Sequence, residues 1–316
     1  MSSSMPQRRI GSLSVSVVGL GCNNFGGRTD EAQSARVIAA AVEAGINFFD
    51  TADVYGGTRS EEILGRALAN QRSEVVIATK FGMAVGPGKA GAAPAYVKQA
   101  LEDSLRRLGT DYVDLYQLHR PDPATPISDT LASLGELVQA GSIREIGCSN
   151  FSVEQLREAA VFATPTAHFV SVQNEYSLLH REPEMGVLGE CQRQGISFVP
   201  YFPLKMGLLS GKYRVGSPPP AGTRIGGMPV ERQQELLGEA TMRVVEDLRR
   251  FAQARGRSVL ELAFGWLLAK PAVASVIAGA TKPEQVFANA GAASWALREE
   301  EVGEVDQIAP PPEAAA

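Results

Sequence analysis

The stretch Ile46-Asn47-Phe48-Phe49-Asp50, with Tyr55 five residues further on, decides the reading of this chain. A short apolar run ends in a carboxylate, and a phenol follows in the next loop. The pattern recurs twice downstream. Val75-Val76-Ile77-Ala78-Thr79 ends in Lys80, and Val113-Asp114-Leu115-Tyr116-Gln117-Leu118 ends in His119. If the three runs are neighbouring parallel strands, an acid, a phenol, an amine and an imidazole gather at one end of the sheet. Proton transfer needs such a set, and βα barrels carry their chemistry at the C-terminal strand ends.

Working outward, strand-like runs alternate with helical patterns along the whole chain. Strands are expected at 15–21, up to Asp50, up to Lys80, up to His119, and at 143–150, 169–174, 196–201 and 274–277. They are rich in Val, Ile, Phe and Leu, as strands covered on both faces should be. Between them lie helical spacings: Ala35, Ile38, Ala41 and Val42; then Val97, Leu101, Leu105 and Leu108; then 127–139 with Leu131, Leu134 and Val138. Ser60 is placed to cap a helix whose first turn holds Glu61 and Glu62. Further helices are expected from Ser152, over 183–194 and from Pro283. Eight such units in about 280 residues imply one α/β domain over 1–308, a (β/α)8 TIM barrel with extra loops and a helix and no Rossmann domain. The Gly/Pro-rich segment 205–232 breaks the rhythm and reads as a lid or binding loop. The loop 82–93 is a second irregularity. The segment 232–268 is expected to hold two helices, one more than a barrel needs.

Composition narrows the function classes. The chain has 316 residues, 44% of them hydrophobic, enough for a large core. A net charge of −5 leaves no basic footprint for nucleic acid. No apolar run approaches the roughly 18 to 20 residues that span a membrane, and MSSSMPQRRI at the start has no secretory h-region. Cys22, Cys148 and Cys191 are scattered and odd in number, which suits reduced thiols in the cytoplasm better than a disulfide framework. Three histidines, far apart, offer no metal cluster. The Pro/Ala-rich stretch 309–316 is expected to be disordered.

One motif is a decoy. Gly86-Pro87-Gly88-Lys89-Ala90-Gly91 spells GxGxxG, but a dinucleotide fold would end the following strand in Asp or Glu about 20 residues later. That strand instead ends in Leu118-His119, so the segment reads as a loop. Each of the four opening residues also has an ordinary role open to it: Asp50 as a turn cap, Tyr55 as a loop aromatic, Lys80 as a solvent-facing cation, His119 as a core histidine. All four converging on one strand end is harder to explain that way.

The segments GINFFDTADVYGGTRSEEILGRAL, ATKFG, LYQLHRPDP, IGCSNF, YFPLKMGLLSGKY and PEQV, in this order over nearly the whole chain, resemble the aldo-keto reductase superfamily. The resemblance implies a barrel that binds a nicotinamide dinucleotide and exchanges hydride with a carbonyl carbon. Tyr55 would be the general acid, its phenol made more acidic by the Lys80 ammonium; Asp50 would hold Lys80, and His119 would orient the carbonyl. Ser149, Asn150 and Gln173 would meet the nicotinamide carboxamide, with Tyr201 stacked on its ring. Gly21, Cys22, Asn23 and Asp50 would complete the floor. The turn holding Phe202, Pro203, Leu204, Gly207 and Leu208, with Lys212, would pass over the pyrophosphate. Gly279, Thr281 and Lys282 would face an adenosine 2′-phosphate, and Gln285 and Asn289 the adenine. Lys282 favours NADP (as NADPH) over NAD, and no metal is called for.

The chain departs from the family pattern at Phe202, often serine; Ala278, often proline; Cys22, often threonine; and Ala288, glutamate in several branches. It ends soon after the last expected helix, so the resemblance implies no long C-terminal loop over the pocket. The rim would then be Asn23, Asn24, Phe25, Phe81, Met83, Arg120 and 205–232, around Tyr55 and His119. A small carbonyl compound is the expected partner, with neither nucleic acid nor membrane; oligomeric state, substrate and direction stay open. Two rivals are a Schiff-base aldolase using Lys80 and a non-catalytic, cofactor-sensing subunit like the channel-associated members of the superfamily.

Overall fold

The chain begins with a hairpin and continues into a closed ring of strands, in a computed structural model that describes residues 5–312. Strands β1 (Gln7–Ile10) and β2 (Leu13–Ser16) pair antiparallel. Eight parallel strands follow: β3 (Val18–Gly21), β4 (Phe48–Asp50), β5 (Val76–Phe81), β6 (Val113–Leu118), β7 (Ile143–Ser149), β8 (Phe169–Gln173), β9 (Ser197–Phe198) and β10 (Val276–Gly279). Their order is β10-β3-β4-β5-β6-β7-β8-β9. The ring closes where the Phe198 N–H donates to the Ala272 carbonyl (2.7 Å) and the Ala274 N–H to the Phe198 carbonyl (2.9 Å). The architecture is a (β/α)8 barrel.

Strand alternation sorts the side chains. Phe48 of β4, Val76 and Ala78 of β5 and Leu115 of β6 point inward. They form one apolar cluster with Ile10, Leu13 and Val15 of the hairpin. The hairpin is therefore a plug across the N-terminal end of the barrel. Phe49, Ile77, Phe81 and Tyr116, one residue out of phase, join a larger cluster with the surrounding helices. The expected strand 15–21 is two elements: the chain turns at Val17, and the Ser16 hydroxyl donates to the Val18 carbonyl (2.7 Å).

Helices α1 (Glu31–Glu43), α2 (Arg59–Leu68), α3 (Pro94–Leu108), α4 (Ile127–Gln139), α5 (Val153–Val161) and α6 (Val187–Gln194) follow successive strands. The helix expected from Ser152 begins there with a full capping box to Gln155. Ser60, expected as a cap, lies inside α2. Thr58, in the left-handed region, precedes the helix, and the Ser60 hydroxyl instead bonds Thr51 Oγ1 (2.8 Å) and the Cys22 carbonyl (2.9 Å). It ties together the loops after β3 and β4. The segment expected to hold two helices holds three: α7 (Val230–Leu236), α8 (Glu239–Gln253) and α9 (Val259–Leu268). After α10 (Pro283–Ala292) comes α11 (Glu299–Ile308), which packs on α8. Just past its end Ala309 is buried and its carbonyl accepts from the Arg181 guanidinium. Residues 313–316 lie outside the described residues. Among the described residues no helix is long and apolar enough to cross a membrane.

α2 and α3 pack closely because Gly65 has no side chain; a Cβ there would lie 2.2 Å from the Leu108 carbonyl oxygen. Gly→Ala inside a helix ordinarily stabilises by up to ~1 kcal/mol. Here the sign should reverse, and Gly65→Ala should lower stability by ~1–3 kcal/mol through overpacking. Denaturant unfolding reads this directly; a midpoint equal to or above that of the parent would refute the close-approach account.

Candidate active site

Above the apolar interior of the barrel sits a layer of inward-facing polar residues at the C-terminal strand ends. Strand register puts Gly21, Asp50 and Ala78 side by side, then Lys80, Gln117 and Gly147, then Ser149 and Gln173. Lys80 is wholly buried. Its Nζ donates to Asp50 Oδ2 (2.7 Å) and to the Thr51 carbonyl (2.8 Å). Asp50 Oδ1 accepts from Gln173 Nε2 (2.9 Å) and Gln117 Nε2 (3.3 Å). A buried ion pair is tolerated when its remaining lone pairs and protons are satisfied, as they are here.

Tyr55, in the loop after β4, leans over this pair, with Lys80 Nζ 5.1 Å from its ring centroid. The His119 ring meets Tyr55 edge-on at 5.8 Å. Burial pulls the Lys80 pKa down, but Asp50 and Tyr55 together more than offset this and hold the ammonium above its ordinary value. The phenol does not end up more acidic, as expected from the sequence. Burial raises the Tyr55 pKa, and Lys80 pulls it back only in part, because Asp50 opposes it. His119 is pushed down to about 3 by burial, Lys80 and Arg120, so it is neutral at physiological pH. Its Nδ1 is buried without a partner inside the protein.

The residues expected around a nicotinamide stand together, and they hold one another. Ser149 Oγ donates to the Gln173 carbonyl (2.6 Å). Asn150, in the left-handed region at φ 62°, donates to the His119 carbonyl (3.0 Å) and Ser149 Oγ (3.1 Å) and accepts from the Tyr201 hydroxyl (2.9 Å). Gln173 spends its amide on Asp50. Gln117, which the sequence reading missed, does the same; strand alternation with His119 and Leu115 was the signal for it.

Three expected pocket residues do not line a rim. Phe25 and Phe81 are fully buried in the outer cluster, and Phe81 stacks on Tyr116 at 4.7 Å. Phe81 follows Lys80 directly, so it must face the opposite side of the sheet. Asn24 is buried too, with Nδ2 donating to the Ala280 carbonyl (3.2 Å). Asn23 Oδ1 and Asn24 Nδ2 both crowd the open side of Gly279. The side chain of Cys22 likewise points away from the mouth, its thiol against the Leu20 carbonyl. Met83 is half-buried and Arg120 exposed, as a rim requires.

The turn after β9 continues the mouth. Pro203 and Leu208 are buried and can offer only backbone. Gly207 takes φ 97°, and Lys212 Nζ fills the space where its Cβ would be. The Arg224 guanidinium lies 5.0 Å from the centroid of Phe202, which in turn meets Tyr201 edge-on. Burial lowers the pKa of Lys212 and of Arg224, and Arg28, from the loop after β3, lowers both further. None of the three cations pairs with a carboxylate among the described residues. Arg28 and Arg224 escaped the sequence reading because both sit in glycine-rich segments without periodicity. At the far side, the Gln285 side chain accepts from the Thr281 N–H (2.8 Å), Asn289 is buried, and Lys282 is exposed at the start of α10. The decoy glycines form a tight turn, with Lys89 paired to Asp103 of α3 at 3.0 Å. Among the described residues no group of three or more His, Cys, Asp or Glu is arranged to hold a metal ion.

Comparison with known proteins finds relatives along nearly the whole chain. The profile of the Aldo/keto reductase family matches residues 17–310. An aldo-keto reductase of Schizosaccharomyces pombe, yakc [NADP(+)], is 34% identical over 315 residues, covering 96% of this chain and 91% of its own. A probable voltage-gated potassium channel subunit beta of Oryza sativa is 35% identical, over 84% of this chain and 83% of its own. The solved structure of glycerol dehydrogenase AKR11B4 from Gluconobacter oxydans superposes with a TM-score of 0.84 at 32% identity, covering 99% of this chain and 98% of that one. With its barrel closed and these strand ends assembled, the chain belongs to the aldo/keto reductase family.

Proposed function

We propose that this protein is an NADPH-dependent reductase of a small aldehyde or ketone, with Tyr55 as proton donor. The observation that carries the reading is the Lys80–Asp50 pair buried directly beneath the Tyr55 phenol. A dinucleotide held in this mouth would supply hydride to the carbonyl carbon. The oxygen then gathers negative charge and needs a proton at once. Tyr55 gives it from its hydroxyl, and the Lys80 ammonium steadies the phenolate left behind. The raised Tyr55 pKa keeps the phenol protonated until a substrate oxygen demands the proton. Neutral His119 can donate one N–H to the same oxygen without adding charge. Asp50 keeps Lys80 charged and aimed, and Gln117 and Gln173 keep Asp50 in place.

The residues present fit a dinucleotide. Arg28 repels both Lys212 and Arg224, which a pyrophosphate between them would relieve. Lys282, exposed beyond β10, suits a 2′-phosphate, in line with the NADP(+) in the name of the S. pombe relative. The Schiff-base alternative needs Lys80 as a free amine, and its bond to Asp50 opposes that. The likeness to the rice channel subunit keeps a cofactor-sensing role as a second reading; tight NADPH binding with no turnover on aldehydes, ketosugars, aromatic ketones or quinones would favour it.

Tyr55→Phe should cut carbonyl reduction at least about 100-fold while NADPH affinity, followed by fluorescence titration, stays within about threefold. Full retained turnover would end the assignment. Arg224→Met and Lys212→Met should each weaken NADPH about tenfold, or ~1.4 kcal/mol, with little change in kcat at saturation. Lys282→Met should lower the NADPH-over-NADH ratio of kcat/KM by about tenfold; an unchanged ratio would place the 2′-phosphate elsewhere.

A further inference from the structure

Behind the Tyr55 loop lies a second polar pocket that the mechanism above does not use. Asp53 is 1% exposed, its carboxylate oxygens make no well-formed hydrogen bond within the protein, and the adjacent Val54 N–H offsets its burial only in part. A buried polar group left so is rare. The groups facing it are known from every side. Glu61 comes from α2, Tyr96 and Arg107 from α3, Lys80 from β5 and Tyr116 from β6. Arg107 is already committed: its Nε donates to Glu61 Oε2 (2.6 Å), and its Nη2 to Ser104 Oγ (3.2 Å). The other oxygen of Glu61 accepts from Thr79 Oγ1 (2.5 Å). The hydroxyls of Tyr96 and Tyr116 are buried and, like Asp53, make no well-formed hydrogen bond within the protein.

The backbone of Asp53 is part of the floor of the active site. Its N–H donates to the Lys80 carbonyl (3.0 Å), the Thr51 N–H to the Ala78 carbonyl (2.8 Å), and the Tyr55 N–H to the Ala52 carbonyl (3.2 Å). The loop 51–55 is thus laid across the end of β5. One of its side chains, Tyr55, faces the mouth and another, Asp53, the pocket behind. We propose that Asp53 is a positioning residue whose charge state sets the seat of the 51–55 loop, and through it the placement of Tyr55 against Lys80. The inference deepens the reductase reading and rests on it for the role of Tyr55.

Neutral, Asp53 fits the pocket and the loop stays down. Ionised, it is a buried anion that Arg107, Lys80 and the Val54 N–H compensate only in part, and the loop lifts toward solvent. Burial and Glu61 raise the Asp53 pKa to about 7, with Arg107 opposing, so the change falls near neutrality. The sign follows from the raised value. Between the ordinary carboxylate range and about pH 7 the folded protein holds a proton that the unfolded chain has released. Stability therefore declines as pH rises through this window, and the full penalty stands above it.

Asp53→Asn, neutral at every pH, tests this in two independent ways. Hydrogen exchange of 51–60, corrected for its intrinsic pH dependence and followed without substrate, should be severalfold faster at pH 8 than at pH 6 in the parent. In the variant the ratio should fall to one. A ratio of one in the parent overturns the inference whatever the enzyme does, so this arm survives failure of the reductase reading. In NADPH-dependent carbonyl reduction, the parent should lose severalfold in kcat with a midpoint near 7, and the variant should lose that limb. A uniform fall at all pH values would mark Asp53 as merely structural and refute the proposal, as would persistence of the limb. Tyr96→Phe, which keeps Asp53 and removes a donor facing it, should move the midpoint upward; an unmoved midpoint counts against the pocket. If Tyr55→Phe retains full activity, the reductase reading fails, and the exchange arm alone still decides whether Asp53 seats the loop.

Discussion

The contact between Lys80 and Asp50 constrains everything around it. Two opposite charges deep in a barrel are favourable only if every other proton and lone pair on them is also matched. That requirement recruits Gln117 and Gln173 to the second Asp50 oxygen and the Thr51 carbonyl to Lys80. Thr51 in turn is tied by its hydroxyl to Ser60 at the start of α2, and Gln173, through its backbone, to Ser149. One ion pair thereby fixes the ends of five neighbouring strands and the loop that carries Tyr55. Around the pair the polar layer is a bonded network, set on an apolar interior.

The phenol above the pair illustrates how two opposed effects settle. A single cation beside a tyrosine suggests a more acidic hydroxyl. In the folded chain that cation is already balanced by Asp50, and the ring is withdrawn from water, so desolvation prevails. The ammonium can then act chiefly when negative charge arises on the phenol oxygen. A group that stabilises charge only as it forms discriminates between resting and reacting states.

Much of this was legible in the sequence. Apolar runs that stop at Asp50, Lys80 and His119 reported both the barrel and the strand ends at which these side chains gather. What the runs could not report was where one strand stops and another begins. Val15 continues the apolar pattern of Val18 and Leu20, so the end of β2 and all of β3 read as a single strand, 15–21. Side-chain direction was readable but underused: alternation from Lys80 sends Phe81 outward, and alternation from His119 brings Gln117 in. Arg28 and Arg224 were beyond reach, since they meet only when two loops far apart in sequence fold over the same lip. Asp53 looked like any loop acid until α2 and α3 closed over it.

The hairpin at the base has one further consequence. Ile10, Leu13 and Val15 pack across the base of the barrel opposite the polar layer, so the vessel opens at the C-terminal strand ends. A molecule that enters there leaves by the same side. When two molecules share such a vessel, the deeper one enters first and leaves last, so traffic through the mouth is sequential by geometry before any affinity is considered.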